Sequence, residues 1–84
     1  DAATMVAAAR ETGHVITVED HWPEGGLGDA VLEVLAEAGA TPAFRKLAPR
    51  EMPGSGKPAE LLAAAGIDAA GIVAAARTMV AATA

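Results

Sequence analysis

The 84-residue chain has no cysteine and no tyrosine, only one Phe and one Trp, and two histidines. Without cysteine there can be no disulfide, thiolate metal site or cysteine nucleophile. The two histidines, His14 and His21, fall at opposite ends of one apolar run, so a metal site is short of ligands. Basic residues are few, six against eleven acids, and the net charge of −5 argues against nucleic acid as a partner. No basic segment leads into an apolar core, so no signal peptide is expected. No apolar stretch is long enough to span a bilayer, so no membrane partner is expected either. The first residue is Asp1 rather than Met, which points to a processed or excised piece.

What the chain has in excess is alanine. The hydrophobic fraction is 52%, but 23 of those residues are alanine and only 21 are larger. Alanine favours helix and buries little area, so this composition predicts one small, helix-rich domain with a thin core. Charge is segregated. Six of the eleven acids lie between Glu19 and Glu37, and four of the six basic residues (Arg45, Lys46, Arg50, Lys57) between positions 45 and 57. Such blocks are first of all solvated faces, and secondly candidates for a complementary contact or an anion pocket.

Capping and periodicity divide the chain. Asp1 and Gly13 bracket a helix over 1–12. His14 to Glu19 is a short, almost continuous apolar run, the pattern of a strand buried on both faces. Leu27, Ala30, Val31, Val34, Leu35 and Ala38 form the stripe of a helix that packs one side on a sheet and ends at Gly39. A second strand is expected over Ala43 to Ala48, parallel to the first and joined by a right-handed crossover. Pro49, Pro53 and Gly54-Ser55-Gly56 read as a loop. Pro58 opens a short helix stopped by Gly66, and Asp68 caps a last helix carrying Ile72, Val73, Ala76, Met79 and Val80. The fold class is therefore α/β, with two parallel strands and about four helices. A strand buried on both faces needs a neighbour on each side, and this chain supplies one, so preceding strands are expected to be missing.

Function is best sought between Glu19 and Gly28, where the first strand meets the next helix. Glu19, Asp20, His21, Trp22, Gly25, Gly26 and Gly28 gather there as a candidate interface or anion-binding corner. Gly26-Leu27-Gly28 resembles part of a dinucleotide fingerprint, but the third glycine position holds Val31 and the link from the strand is long. Gly56-Lys57 resembles the end of a phosphate loop, but Pro58 stands where Ser or Thr is required and Glu51 where the first glycine belongs. Glu19 and His21 could serve acid–base chemistry, or simply hydrogen-bond within the turn or across a subunit contact. Trp22 beside Pro23 is an unusual loop aromatic, and tryptophan is enriched at interfaces.

The run Val15-Ile16-Thr17-Val18-Glu19-Asp20-His21-Trp22-Pro23-Glu24-Gly25-Gly26-Leu27-Gly28 resembles the signature of the C-terminal domain of transketolases. Dehydrogenase β-subunits and deoxyxylulose-phosphate synthase carry a looser form. Arg45-Lys46-Leu47-Ala48-Pro49-Arg50-Glu51-Met52-Pro53, with Ser55-Gly56-Lys57-Pro58 and Glu60-Leu61-Leu62, is similar to the animal-type branch. The likeness runs from about Val15 to Val73. It implies a three-layer α/β/α, Rossmann-like domain with a five-stranded mixed sheet, of which residues 1–84 supply the C-terminal part and the last two strands.

The resemblance further implies a cytoplasmic, three-domain homodimer that moves a two-carbon ketol unit between sugar phosphates with thiamine diphosphate and a divalent metal. The partners of this chain would be the other domains and the second subunit. The cofactor lies between the first two domains, so no catalytic, cofactor-binding or metal residue carries over, and a structural or regulatory role is implied. Two alternatives are a stand-alone binding module using the Glu19–Gly28 corner, and the equivalent domain of another thiamine-diphosphate enzyme.

Overall fold

The computed structural model describes residues 1–50 and 57–83. The elements in chain order are α1 (Ala2–Thr12), β1 (His14–Val18), α2 (Leu27–Glu37), β2 (Ala43–Leu47), α3 (Pro58–Ala65) and α4 (Ala69–Thr83). The expected loop residues Pro53 and Gly54-Ser55-Gly56, and with them the Gly56 of the phosphate-loop comparison, lie outside the described residues.

The caps act where the sequence put them. Asp1 accepts from the Thr4 amide at 3.0 Å at the head of α1, which satisfies a backbone donor that has no partner inside the helix. Asp68 does the same for α4, accepting from the Gly71 amide at 2.9 Å. Two helices end in paired backbone bonds around a left-handed glycine. After α2, Gly39 N–H donates to Ala36 O at 3.1 Å and Ala40 N–H to Leu35 O at 3.0 Å. After α3, Gly66 N–H donates to Ala63 O and Ile67 N–H to Leu62 O, both at 3.0 Å. In each case the residue after the glycine is buried, the apolar contact that accompanies this kind of stop.

β1 and β2 pair in parallel, with His14 opposite Ala43, Val15 opposite Phe44, Thr17 opposite Lys46 and Val18 opposite Leu47. Backbone bonds extend the ladder at both ends, from Ala43 N–H to Gly13 O and from Glu19 N–H to Leu47 O, each 2.9 Å. α1 and α2 pack on each other and on β1, while α4 lies across both strands. Side-chain alternation puts Val15, Thr17 and Glu19, with Phe44 and Lys46, on the α1–α2 face. Ile16, Val18, Arg45 and Leu47 take the other face.

The main core is small: Ala9, Val31, Leu35 and Ala40, flanked by Met5, Val6, Val15 and Phe44. The opposite face buries Leu47, Ala48 and Ile67. Arg10 joins α1 to the end of α2 by donating to Ala38 O at 2.8 Å.

Two expectations need correction. β1 is not buried on both faces: Val15 and Ile16 are half-buried and Val18 is 37% exposed, while Thr17 is buried instead. Among the described residues β1 has a neighbour on one edge only, so nothing covers the Val18 end. The second correction concerns long apolar stretches, since Pro58–Ala82, 25 residues, is long and apolar enough in composition to cross a membrane. Its alanines raise hydropathy without adding bulk. The stretch is broken at Gly66 (φ 74°) into helices of 8 and 15 residues, each shorter than the roughly 20 residues a span requires.

Leu35, 2% exposed, is the most buried of the larger side chains. Leu35→Ala is expected to cost about 2–3 kcal/mol, the low end for a buried leucine, because a thin core relaxes around the gap. Val80→Ala, at a position 54% exposed, should stay within about 0.5 kcal/mol. Urea unfolding of both variants checks this, and an unchanged midpoint for Leu35→Ala would place the core elsewhere.

Candidate functional site

The corner is built around the end of β1. Glu19 is the last ladder residue, and alternation turns its side chain toward α2 rather than solvent. Its Oε2 accepts from the Gly28 amide at 3.0 Å. α2 begins at Gly26, a residue with no side chain to cap its own helix. The Glu19 carboxylate, nine positions before Gly28, supplies both the acceptor and the negative charge that a helix N-terminus favours.

The other carboxylate oxygen, Oε1, is buried and has no hydrogen-bond partner. The imidazole of His21 comes nearest, with Nε2 at 3.3 Å, while His21 Nδ1 lies 2.8 Å from the Trp22 carbonyl. The two glycines owe their identity to this carboxylate. A Cβ on Gly26 would sit 1.9 Å from Glu19 Oε1 and 2.2 Å from His21 Cε1. One on Gly28 would meet Glu19 Oε2 at 2.9 Å and Lys46 Cγ at 2.8 Å.

Beside this contact stands a second one that sequence reasoning missed. Lys46 of β2 pairs with Asp29 in the first turn of α2 and donates to Pro23 O at 3.3 Å. The other Asp29 oxygen accepts from the Gly25 amide at 2.6 Å, closing a turn in which Gly25 takes φ 74°. The Lys46 ammonium first, and the Gly25 amide second, hold the Asp29 carboxyl below the usual carboxylate range. Two signals pointed to this contact: Asp29 lies four residues after Gly25, and Lys46 is two after the only phenylalanine, hence on the same face of β2.

The structure thus brings Glu19, His21, Gly26 and Gly28 into one contact set, with Gly25 shaping the turn. The side chains of Asp20 and Trp22 are not part of it, although the Trp22 carbonyl meets His21 Nδ1. Trp22 is 48% exposed. Asp20 lines an open cavity of about 840 Å³ on the opposite face, between β2 and helices α3 and α4, together with Arg45, Arg50, Leu47 and Ile67. His14, at the far end of β1, sits with Nδ1 2.7 Å from Thr12 O. Glu19 cannot act as a general acid or base on an outside substrate, because its side chain is 1% exposed. Among the described residues no group of three or more His, Asp or Glu side chains is placed to hold a metal ion.

Two outcomes follow from this geometry. Gly26→Ala should destabilise the chain by about 1–3 kcal/mol, because a methyl group cannot share the space of the Glu19 carboxylate. Gly25→Asn should cost less than about 1 kcal/mol, because nothing stands within 4 Å of a Cβ there and asparagine tolerates the left-handed turn. Equal losses in chemical denaturation would contradict the close-contact account. Asp29 gives the second. Its carboxyl titrates lower in the folded chain than in the unfolded one. Its contribution is present above the unfolded value and is lost as pH falls through the folded value. Asp29→Asn should therefore flatten the acid limb of the stability profile and change little where the carboxyl is protonated in both states. An acid limb identical to wild type would count against the Lys46 contact.

Comparison with known proteins completes the description. A family model described as the transketolase C-terminal domain matches residues 1–72. Mouse transketolase-like protein 2 is 46% identical over 81 residues, covering 95% of this chain and 13% of that protein. Mouse and human transketolase are 46% and 45% identical over 82 residues, again 95% of this chain and 13% of theirs. The chain thus spans about an eighth of the length of the curated relatives it matches. With two parallel strands between helical layers and that match over most of its length, the chain belongs to the transketolase C-terminal domain family.

Proposed function

We propose that residues 1–84 are the C-terminal part of the third domain of a transketolase, and that this part holds the enzyme together rather than reacting. In the whole protein the reaction would be transfer of a two-carbon ketol unit between sugar phosphates. Thiamine diphosphate and a divalent metal would supply the carbanion chemistry there. The partners of this chain would be the remaining domains and the second subunit of a homodimer, in the cytoplasm.

The observation that carries this reading is the use the chain makes of the glycine-rich N-terminus of α2. In a phosphate-binding corner such a terminus receives an anion from outside. Here the Glu19 carboxylate occupies it, and the adjacent amide of Gly25 is taken by Asp29. A diphosphate brought to this corner would meet two carboxylates and no cluster of metal ligands. The described residues of this corner do not fit thiamine diphosphate and its metal.

What the corner offers outward supports docking. Trp22 and Leu27 are 48% and 54% exposed, on a loop held from beneath by Glu19, His21, Lys46 and Asp29. A large aromatic on a preorganised loop is the kind of anchor that protein interfaces use. In this reading Trp22 and Leu27 form the contact, Asp20 lies on the opposite face, and Gly25, Gly26 and Gly28 give the loop its shape.

The test has two arms. Adding thiamine diphosphate and magnesium to the 84-residue chain should leave its melting temperature unchanged, since a ligand stabilises only a state it binds. A saturable shift that disappears in Gly26→Val would overturn the reading. In a full-length transketolase carrying this domain, Trp22→Ala should weaken domain or subunit association, read as a lower melting temperature or a shifted dimer equilibrium. Turnover of the assembled enzyme should stay within about twofold. Lost turnover at unchanged assembly would place Trp22 in the chemistry instead.

A further inference from the structure

Both ring nitrogens of His21 face acceptors. Nδ1 lies 2.8 Å from the Trp22 carbonyl oxygen, and Nε2 lies 3.3 Å from Glu19 Oε1. A carbonyl oxygen can only accept, so Nδ1 must carry a proton to bond there. A neutral imidazole then presents a lone pair from Nε2 to a buried carboxylate oxygen that has no hydrogen-bond partner. Only the imidazolium can donate in both directions.

We propose that His21 is a protonation-dependent latch that holds Trp22 and its loop. As an imidazolium it bridges the buried Glu19 carboxylate and the Trp22 backbone, and as a neutral ring it lets go of one of them. The inference rests on the chain's own contacts, whatever docks on the loop. The groups around the ring are known from each side. From β1 there is Glu19, whose second oxygen is committed to the Gly28 amide. From α2 and β2, Asp29 and Lys46 pair with each other. Along the loop, Asp20 and Glu24 are exposed. The His21 side chain is 57% exposed, so a ring that loses its proton can swing into solvent. Trp22 then loses its side-chain tether.

The chain carries its own reporter, because Trp22 is the only tryptophan and there is no tyrosine. Acrylamide quenching and amide shifts of Trp22 and Gly26 are to be followed across the histidine range, about pH 5 to 8. In the wild-type chain the quenching constant should rise about twofold across that range as the ring loses its proton, and both amides should move with the ring resonances. His21→Gln, which keeps a donor and cannot titrate, should be flat. In Glu19→Gln, whose amide oxygen still accepts from Gly28, the ring should titrate without carrying Trp22 with it. Direct quenching of the indole by an imidazolium would persist in that variant and is thereby separated.

A second readout needs no variant. His21 Cε1 lies close enough to Gly26 that a Cβ there would be 2.2 Å from it. The nuclear Overhauser contact between His21 Hε1 and Gly26 Hα should be present at pH 5 and lost at about pH 8. A contact that survives, a wild-type profile that stays flat, or the same profile in His21→Gln would each overturn the proposal.

Discussion

One buried carboxylate organises the informative part of this chain. Glu19 ends β1, is 5% exposed, and bonds to the amide of Gly28 inside the first turn of α2. An anion taken out of water is costly unless it is engaged, and here only one of its oxygens makes a hydrogen bond. One oxygen faces helix amides whose partial positive charge suits it, and the other faces the His21 ring. To let the carboxylate in, the helix must begin with residues that have no Cβ, which fixes Gly26 and Gly28. The direction of α2, the shape of the preceding loop and the outward placement of Trp22 all follow from where that carboxylate sits.

Much of the architecture could be read from the residues because it depends on local rules. Asp1 and Asp68 cap as their positions suggest, Gly39 and Gly66 stop helices, and the stripe through Val31 and Leu35 faces the core. The parallel pairing of β1 and β2 followed from strand, helix and strand with short links. What could not be read depends on direction and on neighbours. An acid after an apolar run gives no sign whether it turns inward, so Glu19 was grouped with Asp20, which points away from it. The Lys46–Asp29 pair joins residues 17 positions apart, and the spacing signals on each side name the partners only once β2 and α2 are set beside each other. The exposure of Val18 depends on what lies beyond the open edge of β1, which the run from His14 to Glu19 cannot specify.

Alanine explains the remaining mismatch between composition and structure. It counts as apolar in any tally, yet its single methyl group removes little surface from water. The core cluster therefore contains two alanines among its four buried members, and Val73 and Val80 of α4 stay exposed. The helices are well formed through propensity and caps, while the layers between them are held by few large side chains. Polar contacts such as Arg10 to Ala38 O and Lys46 to Pro23 O carry a correspondingly larger share of the tertiary connection.

The pairing of Thr17 with Lys46 bears on a difficulty of any short parallel ribbon. Two five-residue strands with small or half-buried side chains define their alignment poorly, and a shift by one residue exchanges the faces of the whole strand. In this chain such a slip would turn Lys46 away from Asp29 and bring Arg45 or Leu47 to the Glu19 face, leaving the Asp29 carboxylate without its ammonium partner. The polar corner thus acts as a register lock: it adds little to the bulk of the molecule, but it makes the misaligned sheet the more expensive one.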